Sequence, residues 1–286
     1  MVRLRVRCVM TLNCQKFQCP HHVCRLPKTP PATCAQWHVN HLVTLTDQEV
    51  EKLLIDGISS KFPDHRFIGE EATASGTKVE LTDSPTWIID PVDGTMNFVH
   101  GFPHSSISIA LYDKKIAQIG IVYNPVLEQL FTARKGLGAF LNGNPIHVSN
   151  QKALLMVEWG TSRDPEKMKV FMENMTILNP LIHGTRTLGS AALNMCMVAS
   201  GGADINFEFG IHAWDIAAGN IIVREAGGVC IDPSGGPLDL MSRRVLCAST
   251  SELAEKVANL LIQLHPDSFF ARILHKFRVA LSIIQH

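Results

Sequence analysis

One stretch constrains this 286-residue chain more than any other: Trp87-Ile88-Ile89-Asp90-Pro91-Val92-Asp93-Gly94-Thr95-Met96-Asn97-Phe98. An apolar run of strand type, residues 86–89, leads into two aspartates three positions apart. Pro91 lacks an N–H, so the strand is predicted to stop at Asp90-Pro91. Gly94 permits a positive φ or a close backbone approach. Thr95 suits the cap of a following helix, leaving free N–H groups beside the acids. Two carboxylates at one strand end repel unless a cation lies between them. Magnesium suits such a place, because it takes a few carboxylates, keeps several waters and accepts phosphate oxygens. Free N–H groups at a helix start suit a phosphate. Asp, Pro and Gly are also ordinary turn residues, so this stretch alone leaves a plain solvated turn open.

The surrounding pattern predicts a layered α+β fold. Thr46-Asp47-Gln48-Glu49 has the form of a capping box, and Val50, Leu53, Leu54, Ile58 and Phe62 follow at helical spacing. A short strand at 66–68 ends at Gly69-Glu70-Glu71. Apolar runs at 106–112 and 116–123, joined by Asp113-Lys114-Lys115, read as a hairpin. Further strands are predicted at 129–133, 139–141, 205–209, 229–232 and 245–249. Helices are predicted from Pro165 to about Met175, and over 190–200, 214–226 and 252–264. Mostly antiparallel strands followed by alternating helices and strands predict two sheets layered with helices, not a simple doubly wound fold.

Two further sites join the aspartates. Glu70 and Glu71 sit at a predicted strand end, and Asp215 follows Trp214 at a predicted helix start, where a plain N-cap role is the simpler reading. Strand ends and helix N-termini can converge on one crevice. Glu70, Asp90, Asp93 and Asp215 together would make a multi-carboxylate pocket for two or three Mg²⁺ ions.

These motifs, taken in order, closely resemble the inositol monophosphatases, a family of magnesium-dependent, lithium-sensitive phosphatases. They are Gly69-Glu70-Glu71, the Trp87 to Phe98 stretch, and His212-Ala213-Trp214-Asp215 through Gly227-Gly228. Phe98-Val99-His100-Gly101-Phe102-Pro103 and Gly235-Gly236-Pro237-Leu238-Asp239-Leu240-Met241 look most like the animal members. The resemblance covers about residues 41–264. It implies an αβαβα sandwich of two sheets and helix layers, and hydrolysis of inositol monophosphates such as myo-inositol 1-phosphate by metal-activated water. By resemblance, a first metal is held by Glu70, Asp90 and the Val92 carbonyl, and a second by Asp90, Asp93 and Asp215. A third contacts Glu70 through water. Glu70 and Thr95 orient the attacking water. The phosphate lies against Gly94 and Thr95, with Gly189, Ser190, Ala191 and Glu208 on the substrate side. The family usually carries Thr or Ser at the Ser190 position. Mg²⁺ as cofactor, Li⁺ as inhibitor and a homodimer are further implications. The alternatives are a related phosphatase acting on a sugar phosphate, a bisphosphate or a phosphoadenosine, or a non-catalytic dimerising isoform.

Other motifs carry less. Arg134-Lys135-Gly136-Leu137-Gly138 lacks the spacing of a nucleotide phosphate loop. His212 could contact substrate, but packing against Trp214 serves as well. Asp47 suits a helix start, and the resemblance places it near the metals.

Composition separates the ends from the body. Residues 1–40 carry six bases, no acid and five of the eight cysteines. The remainder holds 20 bases against 26 acids, which argues against a nucleic-acid partner. Residues 1–40 read as an irregular, Cys- and Pro-rich segment unlike the family. Cys14, Cys19, His21, His22 and Cys24 match no standard zinc spacing. Residues 265–286 form an amphipathic extension, with Phe269, Phe270, Ile273, Leu274, Phe277, Leu281 and Ile284 near helical spacing. Such a basic helix can lie on a membrane, but an added packing helix is the simpler reading. No apolar run is long enough to span a bilayer. Cys196, Cys230 and Cys247, scattered in apolar surroundings, read as reduced and cytoplasmic.

Overall fold

Side chains of successive strand residues face opposite ways, and this alternation sorts the core into layers. The structure, a computed structural model, describes residues 45–76, 80–149, 153–160 and 164–265. One sheet contains β1 Arg66–Gly69, β2 Thr86–Asp93, β3 Ser106–Asp113, β4 Ile116–Asn124, β5 Gln129–Arg134, β6 Ala139–Leu141 and β7 Asn144–Ile146, in chain order. β1 and β2 are parallel and the other pairs antiparallel. The second sheet contains β8 Leu154–Val157, β9 Gly184–Arg186, β10 Ile205–Phe209, β11 Val229–Ile231 and β12 Arg244–Ala248, in the order β11-β12-β10-β8-β9. The helices are α1 Leu45–Ser59, α2 Glu70–Ala74, α3 Thr95–His100, α4 Pro165–Leu178, α5 Ala191–Ala199, α6 Ala213–Glu225 and α7 Ser251–Leu260.

Trp87 and Ile89 of β2 pack with Ile107, Ile109 and the α1 residues Val50 and Leu54. Ile88, between them, faces the other way and joins Ala110, Val122 and Phe131 against α5 and α6. The second sheet divides likewise. Met156, Val245 and Cys247 face α5 and α6, while Leu155, Val157, Phe207 and Leu246 face Phe171 and Leu178 of α4 and Val257 of α7. The layers therefore run helix, sheet, helix, sheet, helix, as the resemblance implies.

The central helix layer fits because its facing residues are small. A Cβ on Gly120 of β4 would lie 2.4 Å from Ile221 Cγ2 and 2.7 Å from the Ala218 carbonyl oxygen. Gly219 is equally tight, with Met195 Cβ at 2.8 Å from its would-be Cβ. This close approach of α6 to β4 and α5 sets where the N-terminus of α6, and with it Asp215, is placed.

Several sequence expectations need correction. Helix α1 is already formed at Leu45, so Thr46 lies inside it and not at its cap. Strand β2 does not stop at Asp90-Pro91 but runs on to Asp93, with its pairing to β3 slipping between Asp90 and Asp93. A bulge leaves a residue out of the ladder, where a missing N–H costs nothing. Helix α7 ends at Leu260, four residues before the expected limit. The short strands β7, β8 and β9 are not among the expected elements. The 1–40 segment with its cysteine and histidine cluster, and residues 266–286 of the C-terminal extension, lie outside the described residues. Cys196, Cys230 and Cys247 are buried free thiols, and no helix among the described residues is long and apolar enough to cross a membrane.

Gly120→Ala should lower stability by about 1–3 kcal/mol through overpacking against α6, measured by urea unfolding; an unchanged midpoint would show that the layers can separate freely.

Candidate active site

Residues three apart on a regular strand point to opposite faces. The slipped register after Asp90 abolishes that rule for Asp90 and Asp93. Oxygens of Asp90, Asp93 and Asp215 consequently all lie within 4.8 Å of one another, a group that could hold a metal ion. The bulge at Pro91 is thus the local device that turns a strand end into a site.

Each carboxylate is held by donors from a different element. Asp93 accepts from Ser190 Oγ at 2.5 Å, Ala192 N at 2.8 Å, Ala191 N at 3.2 Å and Ser106 Oγ at 3.4 Å. It occupies the N-terminus of α5, where free N–H groups and the helix dipole favour an anion. Asp90 Oδ1 accepts from Val92 N at 3.0 Å. Asp215 is not the N-cap of α6 but lies in its first turn, where its Oδ2 accepts from His212 N at 2.6 Å. Glu70 opens α2, whose N-terminus is fixed by Glu51 of α1. The Glu51 carboxylate accepts from Glu71 N and Ala72 N, both at 3.0 Å. A Cβ on Gly69 would fall 2.5 Å from Glu51 Oε2, so a side chain there would push the Glu51 carboxylate aside.

Gly94 and Thr95 lie at the turn into α3. Gly94 has φ 84°, and a Cβ there would meet the Gly189 and His104 carbonyl oxygens at 2.9 Å. Gly94, not Thr95, is the N-cap. Thr95 Oγ1 is bonded within the site instead, to Val92 O at 3.0 Å and Asp47 Oδ1 at 3.5 Å.

The Gly189 to Ala191 turn is adjacent to both aspartate and glycine, but its polar groups are largely engaged. Gly189 N donates to Glu158 Oε1 at 2.7 Å, while Ser190 Oγ and Ala191 N go to Asp93. Asn97 Nδ2 braces the same turn through Leu188 O at 2.6 Å and His104 O at 2.7 Å. Glu208 on β10 is buried, with Asn206 Nδ2 at 3.4 Å.

Crowding shows in the proton affinities. Burial, then the charges of Asp215, Asp47 and Glu71, push Glu70 up to about 9. Burial and Asp93 push Asp215 up to about 7. Burial, Glu158 and Asp215 push Glu208 up to about 8. Burial, Glu70 and Asp93 hold Asp90 well above the usual carboxylate range. Asp93 is raised by burial despite its four donors. A nearby cation would relieve all of these at once.

Sequence reasoning missed Glu51, Asn97 and Glu158. Glu158 carried a usable signal, an acid directly after the apolar run 153–157, the same pattern that drew attention to Glu70. Glu51 looks like any polar residue of an amphipathic helix. Of the rejected motifs, Gly136 N and Gly138 N donate to Glu225 at 2.8 and 2.9 Å, so this loop binds the protein's own carboxylate. The His212 ring stacks on Trp214 at 4.5 Å.

Fold and site together define a layered α+β protein with an acidic, potentially metal-holding centre. Comparison with known proteins narrows the class. The family model described as the inositol monophosphatase family matches residues 31–265. Inositol monophosphatase 1 of Bos taurus is 54% identical over 222 residues, covering 76% of this chain and 80% of that protein. Inositol monophosphatase 2 of Rattus norvegicus is 51% identical over 225 residues, 77% of this chain and 78% of its own. Among solved structures, the extragenic suppressor protein suhB from Bartonella henselae superposes with a TM-score of 0.72 at 27% identity, covering 91% of this chain and 95% of that one. An inositol monophosphatase from Anabaena gives 0.69 at 34% identity, with 78% and 88% covered. The chain belongs to the inositol monophosphatase family.

The raised carboxyls bind protons more tightly in the folded chain than in the unfolded one. Their stabilising effect is full below the ordinary carboxylate range and is lost as pH rises through about 7, 8 and 9 for Asp215, Glu208 and Glu70. Metal-free protein should therefore melt at a lower temperature at pH 9 than at pH 6, and Mg²⁺ should remove most of that difference. A metal-free melting temperature that is level or rising across this window would contradict the crowding.

Proposed function

We propose that this chain hydrolyses inositol monophosphates, such as myo-inositol 1-phosphate, to inositol and phosphate, with Mg²⁺ as its metal. The observation that carries the reading is the cluster of Asp90 and Asp93, both buried, with the half-buried Asp215, in a member of this family. The donor set fits magnesium: hard carboxylate oxygens, mutually repelling and within 4.8 Å of one another. Glu70, Asp90 and the Val92 carbonyl would hold one ion, and Asp90, Asp93 and Asp215 a second. A third would face Glu70 through water. The Val92 carbonyl has a second lone pair beyond the one taken by Thr95. When bound, the ions supply Lewis-acid activation of water and offset charge on the phosphoryl group and the leaving oxygen.

The side chains do the rest. Glu70 and the Thr95 hydroxyl hold and orient the attacking water, with Thr95 fixed by its bonds to Val92 and Asp47. Gly94, lacking a Cβ, lets the phosphate approach the backbone at the start of α3. Glu208 accepts hydrogen bonds from inositol hydroxyls, and Gly189, Ser190 and Ala191 shape the neighbouring wall. Li⁺ inhibits by competing for a cation position. The same reading makes the protein a homodimer. It also makes it cytoplasmic, which the three buried free thiols support.

Phosphate release from myo-inositol 1-phosphate should require Mg²⁺ and fall on adding Li⁺. Glu70→Gln should lower kcat about 100-fold or more. Glu208→Gln should act chiefly on KM, raising it about tenfold, the worth of one charged hydrogen bond. Equal turnover in chelator would refute the metal mechanism. No turnover by the folded, Mg²⁺-loaded protein would favour a non-catalytic isoform, and faster release from a sugar phosphate, bisphosphate or phosphoadenosine would move the substrate assignment.

A further inference from the structure

Five non-glycine residues among those described have a left-handed backbone: Lys114, Lys115, Glu128, Asn142 and Arg243. The first four lie in tight connections between strands of the first sheet, where that conformation is normal. Arg243, at φ 61°, lies elsewhere, between the short 3₁₀ helix Leu240–Ser242 and β12. Strain of this kind persists where the surroundings hold it. What Arg243 holds is the Gly210-Ile211 segment. Its carbonyl accepts from Gly210 N at 2.8 Å and Ile211 N at 3.2 Å. Its side chain returns to the same two residues, Nε donating to Ile211 O at 3.3 Å and Nη2 to Gly210 O at 3.4 Å. Nη2 also lies 3.3 Å from His212 Nε2.

That segment is the only chain between Glu208 on β10 and the first turn of α6. His212, at its end, donates its N–H to Asp215. One arginine thus fastens all four main-chain polar groups of Gly210 and Ile211 and touches the residue that orients Asp215. Its main-chain carbonyl takes two of these groups, as any residue's could; the other two bonds need a planar fork with several donors, which a lysine lacks.

We propose that Arg243 is a positioning residue that sets Asp215 relative to Glu208, and so the metal side of the site relative to its substrate side. This rests on the reading of the site under the proposed function. Position and charge make opposite predictions here. Removing a cation close to crowded carboxylates would by Coulomb attraction alone tighten Mg²⁺ binding. Removing a positioning contact weakens it, by about 10–100-fold for groups that orient ligands.

The test compares full-length wild type with Arg243→Ala and Arg243→Lys, using calorimetry for Mg²⁺ alone and steady-state kinetics with myo-inositol 1-phosphate. We expect Arg243→Ala to weaken Mg²⁺ binding at least about tenfold and to raise KM about tenfold, with Arg243→Lys recovering only part of either. If Arg243→Ala does not fold, Arg243→Lys carries the same expectation at about threefold or more. A folded variant with wild-type or tighter Mg²⁺ binding and an unchanged KM overturns the proposal. Wild type that binds Mg²⁺ but releases no phosphate refutes the activity, while the Mg²⁺ measurement still decides the role of Arg243. Wild type that binds no Mg²⁺ overturns both.

Discussion

The mutual repulsion of carboxylates buried at one point is the constraint on which the rest of this structure depends. Asp90, Asp93 and Asp215 come from two strand positions and a helix, and Glu70 and Glu208 from two more elements. Burying so many like charges without a counter-ion is unfavourable, and the proton affinities of Glu70, Asp215 and Glu208 record that. The fold supplies partial compensation through main-chain N–H groups: Ala191 and Ala192 for Asp93, Val92 for Asp90, His212 for Asp215. These donors fix direction as well as charge. Each of the three aspartates still has an oxygen within 4.8 Å of the other two, which is the spacing a cation site requires.

The layers serve this arrangement. Helix α5 must reach Asp93 across the interface between sheet and helix, and α6 must bring Asp215 beside it. Helix α6 is packed so closely on β4 and on α5 that a Cβ at Gly120 or Gly219 would collide with its neighbours. On the outer face, Glu51 of α1 holds the start of α2 and with it Glu70. The site is therefore assembled by contacts between layers, and its precision depends on their spacing.

Much of this was legible in the sequence, and the reason differs by residue. Asp90 and Asp93 stood out because an apolar strand run ended in them, and Asp215 because it followed an aromatic at a helix start. The apolar runs at 86–89 and 106–112 mark the strands. What could not be read was the consequence of Pro91. A proline predicts that a ladder ends, but the strand instead continued through a bulge, because β3 could re-register beyond it. Thr95 lies one position and Asp215 three positions past the caps of their helices, since cap position depends on where the backbone turns. Glu158 and Arg243 act through partners about thirty residues away in the chain; the run before Glu158 marks a strand end, but no local pattern marks Arg243. The charge balance also looks different in this light. The neutral whole divides into a basic 40-residue segment and a body with six more acids than bases, and several of that body's acids face one another.

The central claim, that these carboxylates stay partly protonated until a cation arrives, is tested most directly by the protons released on binding. Mg²⁺ titrated into the metal-free protein at pH 7, in buffers of different ionisation enthalpy, gives the number of protons displaced. The account predicts net release, growing as the pH is lowered toward 6. Binding with no proton release at either pH would contradict it.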